Sequence, residues 1–152
     1  MSTDNSQFVA IAAEFLLDRL APLLRGRLAS DTRADSGSIA MRARIAAWLD
    51  DLQAGRVEAA LEPIRLAGAL ETLWKLSIVG VLAPPGTVDA RYVDIAVRPE
   101  DAAALDLAVA AVTALDALRG STAIATFRNA QRNMAEEFAA MICAQTDSQA
   151  AV

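Results

Sequence analysis

A chain of 152 residues with 14 Lys and Arg against 19 Asp and Glu, a formal net charge of −5, has no surplus of cations with which to grip a phosphate backbone. Histidine is absent, which removes the usual proton shuttle at neutral pH, the Ser-His-acid and Cys-His nucleophile systems, the proximal haem ligand and the His ligands of zinc and di-iron sites. A hydrophobic fraction of 55%, only 5% aromatics and alanine at roughly a quarter of the chain require a core of small and aliphatic side chains in helices.

Cys143 is the only cysteine, so neither an internal disulfide nor a paired-cysteine metal site can form. The first residues, MSTDNSQFVA, lack the basic start and apolar run of a secretory signal. The richest apolar stretch, residues 102–118, is interrupted by Asp106 and Asp116 before reaching the about 20 residues of a membrane span. A cytoplasmic protein with no membrane partner is expected.

Asp4 with Gln7 three residues on predicts a helix start near residue 5. From Phe8 through Ile11, Phe15, Leu20 and Leu24 to Leu28, apolar residues recur at helical spacing and predict one buried face. Pro22 falls inside that run, where it has no amide hydrogen and crowds a carbonyl one turn back, predicting a kink or a break. Residues 29–38, ASDTRADSGS, are turn-forming and predict a loop. Met41, Ile45, Trp48, Leu49 and Leu52 form a second stripe that Gly55 terminates.

Val57, Leu61, Ile64, Leu70, Leu73 and Trp74 continue the helical period to about Ser77, with Pro63 marking either a kink or a new start. The next segment changes character: SIVGVL is apolar and β-branched, PPG is a turn signal, and Val93, Ile95 and Val97 alternate with Tyr92, Asp94 and Ala96. It reads as a short hairpin around residues 78–97, or as an extended helix followed by a crossover. Pro99, Glu100 and Asp101 make a strong helix start, and Gly120 is placed to stop that helix after Arg119. Asp106, Thr113 and Asp116 are taken as a narrow polar strip on it, predicting a largely covered, central helix. Ser121 is placed to cap a last helix carrying Ile124, Phe127, Met134, Phe138, Met141 and Ile142. The pattern predicts one helical domain over 1–152, all-α or nearly so, a bundle of about five helices with frayed tails at 1–4 and 146–152.

No glycine-rich segment has the spacing of a phosphate loop. Carboxylate pairs are the remaining conventional chemistry. Glu58 and Glu62 are four residues apart, and a solvated face beside Arg65 is the ordinary reading of such a pair. Glu136 and Glu137 read as surface charges paired with Arg132. Asp106 and Asp116 could instead face a cavity or an inter-subunit channel, against the ordinary reading of a solvent side.

Arg19, Arg25, Arg27, Arg33, Arg42 and Arg44 make the first third locally basic without the aromatic interleaving of a nucleic-acid surface. Arg91, Tyr92, Asp94 and Arg98 form a candidate interface, Tyr with Arg being a frequent contact pair, and a polar strand edge is the alternative. Gln131, Met134, Phe138 and Met141 form a candidate apolar pocket with one polar anchor. Trp48, Trp74 and Cys143 are expected in the core.

With no reactive constellation, no metal ligands and no cofactor site expected, the leading reading is a non-enzymatic interaction or assembly module that self-associates or docks on a protein partner. A small apolar-ligand sensor or carrier is the alternative, and a carboxylate-only enzyme is less favoured.

Overall fold

A computed structural model describes Ile11, residues 14–82 and residues 93–150, with the backbone alone for residues 16, 17 and 145–150. The expected cap at Asp4 and Gln7, the start of the first stripe at Phe8, the tail at 1–4, the PPG turn and the pair Arg91 and Tyr92 lie outside the described residues.

A π-helical turn over Leu16–Leu20 leads directly into α1, Ala21–Ser30, with Pro22 in the first helical positions. The break expected at Pro22 is thus a change of helix type. The wider π turn lets the chain continue helically past a residue that cannot donate to the carbonyl four residues before it. Leu20 and Leu24 are buried, whereas Ile11, expected on the same face, is exposed.

α1 consumes part of the expected loop, which shrinks to residues 31–34 before Asp35 caps α2, Ser36–Gln53. The Asp35 carboxylate accepts the Ser38 amide at 2.9 Å and the Ser38 hydroxyl at 2.7 Å, satisfying an orphan donor of the first turn. Ile45, Trp48, Leu49 and Leu52 are buried as their spacing predicts, and Gly55, at φ 80°, takes the left-handed conformation that ends the run.

Pro63 starts a new helix. A single turn, α3 (Val57–Ala60), is separated by Leu61 and Glu62 from α4 (Pro63–Ser77). The Trp48 indole donates to the Ala60 carbonyl at 2.7 Å and ties that turn to α2. α4 is the central helix: Leu66, Ala67, Ala69, Leu70, Leu73 and Trp74 are all buried. Ile64, expected on its inner stripe, is exposed because helical phase restarts at Pro63.

The chain leaves α4 straight into β1, Ile78–Leu82, which pairs antiparallel with β2, Asp94–Val97. Of the two readings of this segment, the hairpin holds. The register shifts between Ile78 and Gly80, so Val79 stands in a bulge and is exposed. Val93 is buried, and with Ala139, Val81, Ile142 and Cys143 forms a small cluster apart from the main core. The Arg98 amide donates to the Ser77 carbonyl at 2.9 Å, closing the base of the hairpin.

α5, Pro99–Arg119, ends at Gly120 with φ 62°. It is not central: it buries only Asp101, Leu105, Ala108, Val112 and Leu115, one face at heptad-like spacing. Alanine on the outer face explains the difference, because a small apolar side chain costs little in water and carries no information about which side is covered. α6, Ala123–Ala150, completes a fold of six α-helices and one hairpin among the described residues, and its backbone continues past Thr146, where the periodic pattern stops. No described helix is long and apolar enough to cross a membrane.

Candidate functional site

α2 and α4 present facing rows of residues at helical spacing, and between them lies a cleft of about 460 Å³. Met41, Ile45 and Trp48 from α2 and Ile64 from α4 supply its apolar wall. Gly68, in the middle of α4, contributes no side chain, and a Cβ built there would meet no atom within 4 Å. Space that any larger residue would fill therefore stays open.

Four cations, Arg33, Arg44, Arg65 and Lys75, line this cleft against two carboxylates, Asp35 and Glu71. Most are already engaged. Asp35 is occupied as the α2 cap, and the Ser38 hydroxyl and amide hold it below the usual carboxylate range. Arg33 grips Asp31 at 2.7 and 3.1 Å, and Arg42 reaches the same carboxylate at 3.0 Å. Those two guanidinium groups, Arg33 foremost, lower Asp31 to about 2. Arg65 bonds Asp51 at 2.8 Å and the Ala59 carbonyl at 3.0 Å, while Lys75 pairs with Glu71 at 2.7 Å. Among the described residues Arg44 makes no hydrogen bond or ion pair, and it is exposed.

One ion pair lies deep. Asp101 is 1% exposed and accepts a single hydrogen bond from Arg27 Nη2 at 2.7 Å, while Arg27 itself is 22% exposed. The carboxylate hydrogen bond raises the Arg27 pKa. Arg27 Nε, Asp101 Oδ2 and the Ser77 hydroxyl are buried without partners, so the pair is imperfectly satisfied. Asp101 reads in sequence as an ordinary first-turn acid, and nothing local announces that Arg27, on another helix, lies over it.

Glu58 and Glu62 do not share a helix face: Glu58 is an exposed partner of Arg119 at 3.0 Å, and Glu62 precedes Pro63 outside either helix. Asp106 is exposed, while Asp116 turns to the next helix, where it accepts the Ala123 amide at 3.1 Å, the Ile124 amide at 2.8 Å and the Ser121 hydroxyl. Asp116 therefore caps α6, the role expected of Ser121. Glu136 and Glu137 are exposed. Of the basic first third, Arg25, Arg27, Arg33 and Arg42 are all turned to carboxylates of this same chain.

Of the candidate interface, Asp94 is exposed opposite Leu82 on β2, and Arg98 is half-buried at the start of α5. In the candidate pocket, Gln131 accepts from Arg128 at 2.8 Å, Met134 packs partly against the main core, Phe138 is half-buried and Met141 is exposed. None of these four lines the cleft between α2 and α4. Among the described residues no three His, Cys, Asp or Glu side chains gather as a metal site would need.

No protein family matches this chain, and no curated protein and no solved structure matches it either.

Proposed function

We propose that the chain is a non-enzymatic assembly module that pairs with a second copy of itself through the outer face of α5. The observation that carries this reading is the exposure of Leu107 (55%) and Leu118 (40%), three turns apart on one side of that helix. Ala110 and Ala117 between them, and Ala103 one turn before Leu107, are exposed as well. On the other flank Thr113 turns its hydroxyl back to the Val109 carbonyl at 2.7 Å, leaving Asp106 as the one charge near the middle of the face.

A row of alanines lets two helix axes approach to about 8 Å, the near end of the packing range, and the flanking leucines then fill the grooves. A self-complementary face of this kind suits a two-fold dimer, in which each residue meets its counterpart's neighbours. The reading includes no nucleic-acid partner, supported by the net charge of −5, and a cytoplasmic location, supported by the lone cysteine.

Sedimentation equilibrium tests it. The wild-type chain should sediment as a dimer, and Leu107→Glu with Leu118→Glu should give a monomer with an unchanged circular dichroism spectrum, both positions being on the surface. A wild-type monomer at every concentration, or a dimer indifferent to both substitutions, refutes the reading.

A further inference from the structure

We infer that the cleft between α2 and α4 binds a small amphipathic carboxylate, a single anionic head on a compact apolar body. This site is independent of the α5 face. At about 460 Å³ the cleft falls in the range of small-molecule sites, which are mostly apolar with a few placed polar groups. Met41, Ile45, Trp48 and Ile64 supply the apolar surface, and the missing side chain at Gly68 supplies the room.

Charge decides the class of ligand. The cleft carries four cations and two carboxylates in a chain whose net charge is −5, so this face runs against the sign of the whole. Both carboxylates are committed, Asp35 to the α2 cap and Glu71 to Lys75, which leaves no anion to receive a cationic ligand. Arg33 and Arg65 already hold Asp31 and Asp51. Of the four cleft cations Arg44 alone has no partner among the described residues, and a planar guanidinium fits one carboxylate through two parallel hydrogen bonds. A polyphosphate would need several uncommitted donors, whereas one free arginine suits one carboxylate.

Isothermal titration calorimetry with octanoate, octan-1-ol and octylammonium as probes decides it. Octanoate should bind once per chain, with octan-1-ol about tenfold weaker for want of the charged contact and octylammonium weaker still. Arg44→Gln should bring octanoate down about tenfold, to the level of the alcohol. Gly68→Leu should abolish binding of octanoate and the alcohol, because the new side chain occupies the cleft. Leu is a better helix former than Gly and meets no atom at its Cβ, so this variant should keep its helical spectrum. If it does not, Arg44→Gln decides alone. The monomeric Leu107→Glu, Leu118→Glu chain should bind octanoate as the wild type does, which separates this site from assembly. No heat with octanoate, equal affinity for octanoate and octylammonium, or binding unchanged in folded Gly68→Leu or in Arg44→Gln overturns the inference.

Discussion

Removing either partner of the Arg27–Asp101 pair should unsettle the protein unequally, and removing both should cost less than the sum. Asp101 is 1% exposed, so in Arg27→Met its carboxylate stays buried without a cation, a situation that costs about 3–5 kcal/mol. In Asp101→Ala the orphaned arginine is 22% exposed and can reach water, which lowers the expected loss to about 2–3 kcal/mol. The pair makes one hydrogen bond and leaves Arg27 Nε and Asp101 Oδ2 unpartnered, so its own net contribution is small. The double variant Arg27→Met, Asp101→Ala should therefore be more stable than Arg27→Met alone, with a coupling of about 2 kcal/mol or more between the sites. Urea unfolding followed by circular dichroism gives all four corners of the cycle, and each kcal/mol also moves Tm by roughly 2–4 °C in a chain of this size. Single losses that add to within about 0.5 kcal/mol would refute the assignment of Arg27 and Asp101 as an interacting buried pair.

Asp116→Ala should lower stability by about 1–2 kcal/mol, since two backbone amides at the start of α6 lose their acceptor, and Asp116→Asn should recover part of it in the same urea assay. Acid should weaken the fold in a defined window. Asp31 is lowered from the ordinary 3.8 to about 2, and Asp51 is lowered by Arg56 and then Arg65. A depressed folded pKa gives stabilisation that is complete above the unfolded value and is lost as pH falls toward the folded one. Tm should therefore drop as pH goes from about 4 to about 2, with a shallower slope in Asp31→Asn; parallel slopes would remove Asp31 from the account.

Element boundaries are legible wherever a residue acts through its own backbone. Pro22, Pro63, Pro99, Gly55 and Gly120 each mark a start or a stop in the fold, because a missing amide or a left-handed φ is a local property that tertiary packing cannot override. The hairpin is legible as one of two readings, with β-branched runs on either side of a turn signal. Burial is harder to read. Periodicity places Ile45, Trp48 and Leu49 correctly but also places Ile64 inside, because the phase of a helical stripe is lost when Pro63 begins a new helix. On α5 the alanines leave the covered side undetermined, and the face is set by Leu105, Val112 and Leu115.

The cleft shows why a site can escape a residue-by-residue reading. Its walls come from two helices and its room comes from the absence of a side chain at Gly68, so no motif marks it. A glycine in a helix interior is the one local cue, since it costs about 1 kcal/mol against alanine and invites the question of what needs the space. Arg44 gives no cue either, because its freedom is established only when the other three cations of the cleft, Arg33, Arg65 and Lys75, are seen to have partners.

The carboxylate of Asp116 belongs by chain to the negative end of α5 and by hydrogen bonding to the positive end of α6. One side chain thus clamps a corner that would otherwise be a hinge, with Gly120 inside it. A stiff corner holds the leucine-bearing flank of α5 at a constant angle to the rest of the body. Two copies meeting there would have little backbone motion left to surrender, so their affinity could come from modest contact area alone.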